Sequence, residues 1–431
     1  MLPTILHQSD ELIAFIALLN FALYQPQMRH LLKLVDAMLV CSGKKTLSNL
    51  YRQISGEPDS KTAADFLRES TWDKEEMSIS RKRVMLMQFL AFANRLGLVK
   101  VLASIDDSLG KKDKATRHLE AVSFHHDHTE GSKKKPKYAN GFVYVELHIQ
   151  MGPIGFTFDT HLYLRTEVVR KVNRHREPAK HLHYRSKYAL ACAMLTELAG
   201  LLPKGYQVTV MFDSWYASAK LIKFCRRRGW HVICAVKSNR HIDKKRVDGH
   251  DQALRNKHYQ RVELHALNPL RPAPVYFVRT VMGHLNDVPD RVCAIISRRH
   301  KGDNRPRYFV FTDLTLSAQE ALRLYQRRWP VEVDNFYLKE GLGLADFRLQ
   351  SFEAIDKWFA VTLVTLNYLQ FQQAQCLVDT GKLPRLADLI RQHRWSHLEN
   401  VIRRIAEDAL LTGDVEEVLN RYMPTATWAV V

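Results

Sequence analysis

The feature that most constrains this sequence is an alternation of short apolar runs with helical segments in its middle third. Residues 99–105 have the composition of a buried strand, which ends at Asp106 and Asp107. Residues 206–212 have that of a second strand, which ends at Asp213. A helical segment precedes the second strand, and another helix and strand follow it. Because this alternation requires parallel crossovers, it predicts an α/β sheet.

Three acids lie where an α/β sheet builds its binding site. Asp107 and Asp213 end strands, and Glu332 lies in a later helical segment. Acids at the carboxyl ends of neighbouring strands meet in the crevice where such sheets bind ligands. Their oxygens suit Mg²⁺ or Mn²⁺, and two such ions about 3.5–4 Å apart serve in-line phosphoryl displacement. We therefore predict that these acids are catalytic and bind two ions.

The charge of the chain indicates a polyanionic partner. Its 431 residues include 64 Lys and Arg against 45 Asp and Glu, a formal net charge of +19 at pH 7. Nucleic acid is the commonest polyanion for such a protein, and an anionic membrane surface is the other candidate. The basic stretches 111–137, 165–187 and 226–246 are either phosphate contacts, which we favour, or solvated faces.

Several other classes of protein do not fit the sequence. The longest apolar run, residues 358–371, is shorter than the roughly 20 residues of a membrane-spanning helix. The first residues lack the basic and apolar regions of a secretory signal. The six cysteines include no C-x-x-C pair, which favours reduced, buried thiols. We therefore expect a cytoplasmic protein that handles nucleic acid and has no membrane partner.

The pattern divides the chain into five segments. Residues 1–95 carry apolar side chains at helical spacing, which suits a DNA-binding domain and plain helical packing equally. Short strand patterns after residue 240 interrupt the α/β alternation and predict an insertion. The predicted segments are an N-terminal helical DNA-binding domain (1–95), the first part of the catalytic core (96–239), a β-rich insertion (240–300), the second part of the core (301–370) and a C-terminal helical region (371–431).

The surroundings of Glu332 make this acid more specific than the other two. Tyr325, Arg328, Glu332 and Lys339 spell Y-x2-R-x3-E-x6-K. On one continuous helix the last three would lie within about 60° of Tyr325, so that one face presents a carboxylate, two cations and a phenol. A salt-bridge ladder on a solvated helix is the alternative. Pro330 would kink or restart such a helix.

This signature resembles that of the bacterial insertion-sequence transposases of the DDE type. The resemblance also includes the segments 104–108 and 210–214 around the strand-end acids, and it covers roughly residues 98–350. It implies an α/β fold with an RNase H-like core, and a site that holds two Mg²⁺ ions. It also implies a reaction that nicks DNA at the element ends and joins the freed 3′-hydroxyl to target DNA. The implied partners are terminal inverted repeats and target DNA, held by a homodimer because two ends are processed together.

The resemblance also assigns roles by position. Asp107, Asp213 and Glu332 carry over as the catalytic, metal-binding acids. The residues that carry over as contacts to DNA phosphates near the cut are Tyr325, Arg328 and Lys339. Trp329 matches an aromatic position of the signature, where it either stacks on a flipped base or packs in the core.

The first acid is ambiguous, because Asp106 and Asp107 are neighbours on one strand. Side chains of neighbouring strand residues point to opposite faces, so only one of the two joins the site. The family pattern, an acid followed by Thr or Ser, favours Asp107. The run His125 to His128 is a second open question, since it either binds zinc or lies in a solvated or DNA-facing loop, which we favour.

Two other functions remain alternatives to transposition. One is a metal-dependent nuclease that cuts DNA without joining it. The other is a domesticated DNA-binding protein that has kept the fold and lost catalysis. The presence of all three acids argues against the domesticated protein.

Overall fold

The computed structural model describes residues 4–56, 60–127, 130–131, 135–254, 257–266 and 272–422. It has the mixed α/β architecture that the sequence predicts, with one large sheet and many helices. No helix in the described ranges is long and apolar enough to cross a membrane.

The described part of residues 1–95 is helical, as its apolar spacing predicts. Capping side chains mark where two of the helices begin: Ser9 accepts a hydrogen bond from the backbone N–H of Leu12, and Asp73 accepts from Glu75 and Glu76. The helices are α1 (Asp10–Leu19), α2 (Gln25–Val40), α3 (Leu47–Tyr51), α4 (Lys61–Arg68) and α5 (Lys74–Arg95).

Ten strands form the large sheet. In chain order they are β1 (Lys100–Lys111), β2 (Ser123–Asp127), β3 (Lys137–Met151), β4 (Ile154–Tyr163), β5 (Gln207–Phe212), β6 (His231–Val236), β9 (Gln260–Glu263), β10 (Val275–His284), β11 (Arg291–Arg298) and β12 (Arg307–Phe311). A separate two-stranded sheet contains β7 (His241–Ile242) and β8 (Lys245–Arg246).

The order of the strands brings the predicted acids to adjacent positions. The sheet runs β2-β3-β1-β5-β6-β12-β11-β10-β9, and β4 also pairs with β3. Strands β1, β5 and β6 are parallel, as the alternation predicts, whereas β3 is antiparallel to β1. The five strands β4, β3, β1, β5 and β6 form the expected RNase H-like core, with β1 at its centre and β5 next to it.

The β-rich segment after residue 240 extends the same sheet. Strand β12 pairs with β6, and β11, β10 and β9 follow it outward. The strand expected to return to the core sheet, β12, does so, and it carries the inserted strands with it. The segment also contains helix α9 (Val247–Leu254). The insertion is therefore continuous with the core sheet and widens it on the β6 side.

The remaining helices cover the sheet and the N-terminal helices. They are α6 (Thr166–Asn173), α7 (Lys187–Leu201), α8 (Ala219–Arg226), α10 (Ala318–Gln326), α11 (Pro330–Phe336), α12 (Phe352–Thr380), α13 (Leu386–Thr412) and α14 (Val415–Tyr422). The apolar run of residues 358–371 is the buried centre of α12, which packs against β4, α5 and α2.

One apolar core joins the N-terminal helices to the sheet. It includes side chains from α1, α2 and α5 together with those of β1, β3, β4 and α12. A buried ionic group adds to it: Arg81 and Lys82 of α5 lie 3.1 and 2.9 Å from the two carboxylate oxygens of Asp159 on β4. Removing one partner of such a buried group costs about 3–5 kcal/mol. Packing therefore holds the N-terminal helices against the core.

Candidate active site

The pairing of β1 with β5 decides which acid of β1 joins Asp213. Parallel pairing runs to Ile105 opposite Phe212, so the next residues in register are Asp106 and Asp213. On this face of the sheet lie Leu102 and Met211, which belong to a smaller apolar cluster under α10. Asp106 therefore points to the same face as Asp213.

Asp107 points to the other face, as alternation along a strand requires. Its Oδ2 accepts a hydrogen bond from Nζ of Lys187 at 2.6 Å. The Lys187 ammonium lies 4.9 Å from the centre of the Trp215 ring. The expectation that Asp107 is the acid beside Asp213 therefore does not match the geometry, because the register places Asp106 there.

Arg328 links the acids on the Asp106 face. Its Nη1 donates to Asp106 Oδ2 at 2.7 Å, and its Nη2 donates to Glu332. Burial raises the pKa of Asp106 to about 6, with a smaller contribution from the Asp213 charge, although Arg328 acts in the opposite direction. The three carboxylates thus lie close together in a partly buried position, and the guanidinium of Arg328 bridges two of them.

The donor set of this group fits a hard divalent cation. Asp106, Asp213 and Glu332 offer only carboxylate oxygens, the ligands that Mg²⁺ and Mn²⁺ prefer. Asp106 and Glu332 share the single guanidinium of Arg328, so the negative charge of the group exceeds the positive charge beside it. A divalent cation would supply positive charge there, so the residues present suit the ions that the sequence predicts.

The signature does not form one continuous helix. Helix α10 ends at Gln326, Pro330 begins α11, and residues Tyr337–Gly341 form a turn of π-helix. The single helical face drawn from the sequence is therefore wrong, because proline lacks the N–H that would continue α10. Arg328 and Glu332 still meet at a spacing of four residues across the restart.

Tyr325 lies under the acids rather than beside them. Its hydroxyl donates to the backbone carbonyl of Phe212 at 3.4 Å, and its ring packs edge-on against Phe309. Burial raises its pKa to about 12. The Arg328 guanidinium lies 5.9 Å from the centre of the Tyr325 ring. Tyr325 thus supports both Arg328 and the end of β5 that carries Asp213.

Trp329 occupies the junction between α10 and α11, where it is 51% exposed. It lines a cavity of about 690 Å³ together with Asp213, Arg328 and Glu332. A half-exposed indole in a cavity wall is not a core residue, so the structure leaves its ring accessible to a ligand.

Lys339 lies in a different cavity, of about 560 Å³, together with Asp107 and Lys187. Burial lowers its pKa, while neighbouring carboxylates, including Glu146, act in the opposite direction. The predicted site residues are therefore divided between two cavities. Tyr325, Arg328, Trp329, Glu332 and Asp213 line the first, and Lys339 and Asp107 line the second.

The histidine run is strand rather than loop as far as it is described. His125, His126 and Asp127 belong to β2, and His128 lies outside the described residues. Burial lowers the pKa of His125 to about 4, and Asp127 pairs with Lys111 at 2.8 Å. In the described ranges these three side chains do not form a group of converging metal donors.

Sequence reasoning missed a buried polar network behind Glu332. Asp334 is buried, and its Oδ2 lies 2.6 Å from Nδ1 of His148 on β3. The same oxygen accepts from Thr157 at 2.7 Å and from Gln370 at 2.9 Å. The network fixes α11 against β3, β4 and α12. Glu146 and His148 alternate along β3, which was the one signal in the sequence that pointed to a polar face there.

The sequence matches two families of known proteins. The family model described as "DDE superfamily endonuclease" matches residues 21–265, and that described as "Transposase DDE domain" matches residues 185–368. No curated protein matches the sequence. Among solved structures, the chain is similar to a piggyBac transposase in a cryo-EM synaptic complex with hairpin DNA. The identity is 11% and the TM-score 0.46, over 92% of this chain and 76% of that one.

Proposed function

We propose that this chain, which belongs to the DDE superfamily endonucleases, is a DNA transposase that cuts the ends of an insertion sequence and joins them to target DNA. The observation that carries the proposal is the meeting of Asp106, Asp213 and Glu332 around Arg328. The match to the transposase domain spans two of these three acids. The reaction is then phosphoryl transfer on DNA within the bacterial cytoplasm.

The proposed acids are Asp106, Asp213 and Glu332, with Asp106 in the place that the sequence assigned to Asp107. Two Mg²⁺ ions held by these carboxylates would activate the attacking water or 3′-hydroxyl and stabilise the leaving oxygen. Tyr325 keeps the end of β5 in place through its hydrogen bond to the Phe212 carbonyl. The buried contacts of Asp334 do the same for the helix that carries Glu332.

Arg328 has two tasks in this proposal. Its guanidinium donates to both Asp106 and Glu332 and keeps the carboxylates together. A guanidinium also binds phosphate through two parallel N–H groups, which a point charge does not reproduce. Beside the acids it is placed to contact the phosphate next to the scissile bond. Trp329, exposed in the same cavity, is placed to stack on an unpaired base.

A basic groove provides a path for DNA away from the acids. It has a volume of about 660 Å³ and lies between helices α3 and α4 and the segment 347–350. Its basic lining residues are Lys44, Arg52, Lys61, Arg68 and Arg348. No described residue that lines it is acidic. We propose that this groove holds the phosphates of a terminal inverted repeat, and that Lys339 contacts phosphates in the cavity that it lines with Asp107.

The experiment that tests the function uses DNA that carries the terminal inverted repeats flanking the gene. The purified protein is incubated with Mg²⁺, end-labelled repeat DNA and a supercoiled target plasmid. We expect nicks at the repeat ends and labelled DNA joined to the plasmid. The substitutions Asp106→Asn, Asp213→Asn and Glu332→Gln remove both products. Asp313→Asn is the matched control, because Asp313 follows β12 and accepts its hydrogen bonds from Thr315, away from the cluster.

The same experiment separates transposition from the alternatives. A pre-cut repeat with a free 3′-hydroxyl bypasses cleavage. If it is never joined to the plasmid although intact repeats are cut, the protein is a nuclease without strand transfer. If repeats are bound but neither cut nor joined with Mg²⁺ or Mn²⁺, the proposal is wrong and the protein only binds DNA. Cross-linking on repeat DNA tests the expected homodimer.

A further inference from the structure

A buried group of metal-binding side chains lies far from the acids along the chain, where the N-terminal and C-terminal helices meet. Asp36 lies on α2, and His393 and His397 lie one turn apart on α13. Residues four apart on a helix share a face, so both imidazoles point toward α2. Asp36 is 0% exposed and His397 is 2% exposed. The proposed function uses none of these residues.

The three side chains converge on one oxygen. Nε2 of His393 lies 2.6 Å from Asp36 Oδ1, and Nε2 of His397 lies 2.9 Å from the same atom. In the part of the chain that the structure describes, Asp36 Oδ2 and His397 Nδ1 have no hydrogen-bond partner. A buried polar atom without a partner costs about 1–3 kcal/mol, so the group is incomplete as a set of hydrogen bonds.

The carboxylate of Asp36 is buried without a Lys or Arg partner among the described residues. In the described part of the chain, its ion-pair contacts are with His393 and His397 alone. Buried charges are usually paired with an opposite charge or bound to a metal.

We propose that Asp36, His393 and His397 bind a Zn²⁺ ion that fastens α13 to α2. Two imidazole nitrogens and a carboxylate suit zinc, whereas the oxygen-only acids of the proposed active site suit Mg²⁺. Zinc bonds of about 2.0–2.2 Å place tetrahedral ligand atoms about 3.4 Å apart, so the nitrogens move from the Asp36 oxygen by only about 0.5–0.8 Å. A water molecule would complete the tetrahedron as the fourth ligand, and the unpartnered Oδ2 of Asp36 would accept a hydrogen bond from it.

The composition of α13 indicates that this helix needs a further link to α2. This helix has 27 residues, but its described buried side chains are only Leu386, Ile390, His393, His397, Val401 and Asp408. Three of the six are apolar, so burial of apolar surface contributes little to docking. A further polar link on the α2 side is Arg394, which donates to the carbonyls of Leu39 and Cys41. A bound metal would add the docking free energy that apolar packing does not supply.

A second group of converging donors lies behind Glu332. Glu146, His148 and Asp334 also lie within reach of one ion. However, the Asp334 oxygen that faces His148 already accepts from Thr157 and Gln370. Glu146 Oε2 and His148 Nε2 have no partner among the described residues either, but the Asp334 oxygen already has three polar neighbours, whereas the shared Asp36 oxygen contacts only the two imidazoles.

The test is metal retention by the full-length chain without a histidine tag. The protein is stripped with a chelator, given one equivalent of Zn²⁺ in the presence of 10 mM Mg²⁺, and passed through gel filtration. We expect about one zinc per chain by atomic emission, and Co²⁺ in place of zinc should give the visible absorption bands of a tetrahedral site. At a free zinc concentration 100 times the dissociation constant, the melting temperature should rise by about 3 °C.

Substitutions locate the ion. Asp36→Asn and His397→Gln should each retain less than a tenth of the zinc, whereas the control His30→Gln on the same α2 helix retains it. The Asp213→Asn protein also retains it, because the catalytic acids are not involved. The Co²⁺ spectrum of the unsubstituted protein keeps the proposal testable even if Asp36→Asn does not fold. Zinc retention below a tenth per chain by the unsubstituted protein, or full retention by folded His397→Gln, overturns the proposal.

Discussion

Replacing Asp106 and Asp107 one at a time, each by Asn, tests the assignment of the first acid. The two positions are adjacent in the sequence, and the substitutions remove the same charge and hardly change volume. The structure assigns them different partners: Asp106 lies beside Arg328 and next to Asp213, and Asp107 pairs with Lys187. Any difference in outcome therefore depends on which face of the strand each residue occupies, and not on the chemistry of the substitution.

The expected effect on catalysis differs by about two orders of magnitude or more. A carboxylate that holds a catalytic cation contributes several kcal/mol to the transition state, so Asp106→Asn should reduce cleavage about 10³-fold or more. The Asp107 pair with Lys187 is partly exposed, and pairs of this kind contribute about 1 kcal/mol or less. Asp107→Asn should therefore retain cleavage within about fivefold. The assay is the initial rate of nicking of labelled repeat DNA.

The effect of Asp106→Asn on stability should be opposite to its effect on activity. A pKa raised from 3.8 to about 6 means that the charged form of Asp106 is unfavourable in the folded protein by about 3 kcal/mol. The stabilising contribution of this group is present below pH 3.8 and is lost as pH rises through 6. Asn stays neutral, so in EDTA at pH 7.5 the variant should be more stable by up to about 3 kcal/mol in urea unfolding.

Two outcomes would refute this reasoning. If Asp107→Asn abolishes cleavage while Asp106→Asn retains it, the register of β1 against β5 does not select the catalytic acid. If Asp106→Asn destabilises the metal-free protein at pH 7.5, the charge of Asp106 is better compensated than its burial implies. Mg²⁺ provides a further control, since it should stabilise the unsubstituted protein more than the Asp106→Asn variant.

Three further predictions follow from the described contacts. Arg328→Lys keeps the charge but loses the fork that bridges Asp106 and Glu332, so kcat for cleavage should fall about 10–100-fold with repeat binding unchanged in a gel-shift assay. Burial lowers the pKa of His125 to about 4, so this residue stabilises the fold above pH 6.5 and loses that contribution as pH falls. Between pH 7 and 4.5, the free energy of unfolding measured in urea should therefore fall by about 2.5 kcal/mol more for the unsubstituted protein than for His125→Gln. Replacing Arg348 in the basic groove by Ala should lower affinity for repeat DNA and reduce the slope of log K against log salt by about 1.

Each of these predictions has its own control. Arg327→Lys, one residue before Arg328, changes a side chain that donates to the Gly152 carbonyl, and it should leave kcat unchanged. For His125, parallel pH profiles of the two proteins would show that another group dominates acid unfolding. For the groove, an unchanged salt slope in Arg348→Ala together with a reduced slope in Arg299→Ala, outside the groove lining, would move the DNA path elsewhere.

The fold class and the order of the elements follow from the sequence because local patterns carry that information. Apolar runs that end in acids predict β1 and β5, and capping residues such as Asp73 predict helix starts. The signature around Glu332 was readable because its residues lie close together in the chain. The break at Pro330 was visible as a possibility, but whether proline kinks or restarts a helix depends on what the next turn packs against.

Features that depend on long-range packing could not be predicted from local sequence patterns. The inserted strands join the core sheet through β12 and β6, and strand pairing of distant segments leaves no local signal. Asp334 looks like a surface residue in the sequence because its partners, His148, Thr157 and Gln370, come from three other elements. Asp36 on α2 precedes His393 and His397 on α13 by more than 350 residues.

The sequence by itself determined the class of this protein: an α/β chain, strongly basic, with acids after apolar runs and a transposase-like signature. It placed the end of the first strand at Asp107, whereas β1 continues to Lys111. Only the tertiary structure decided which acids stand together. Asp106 and Asp107 are chemically equivalent, and composition cannot separate them. Their roles differ because a strand turns successive side chains to opposite faces and because β5 pairs with β1 in one register, which places Asp213 beside Asp106.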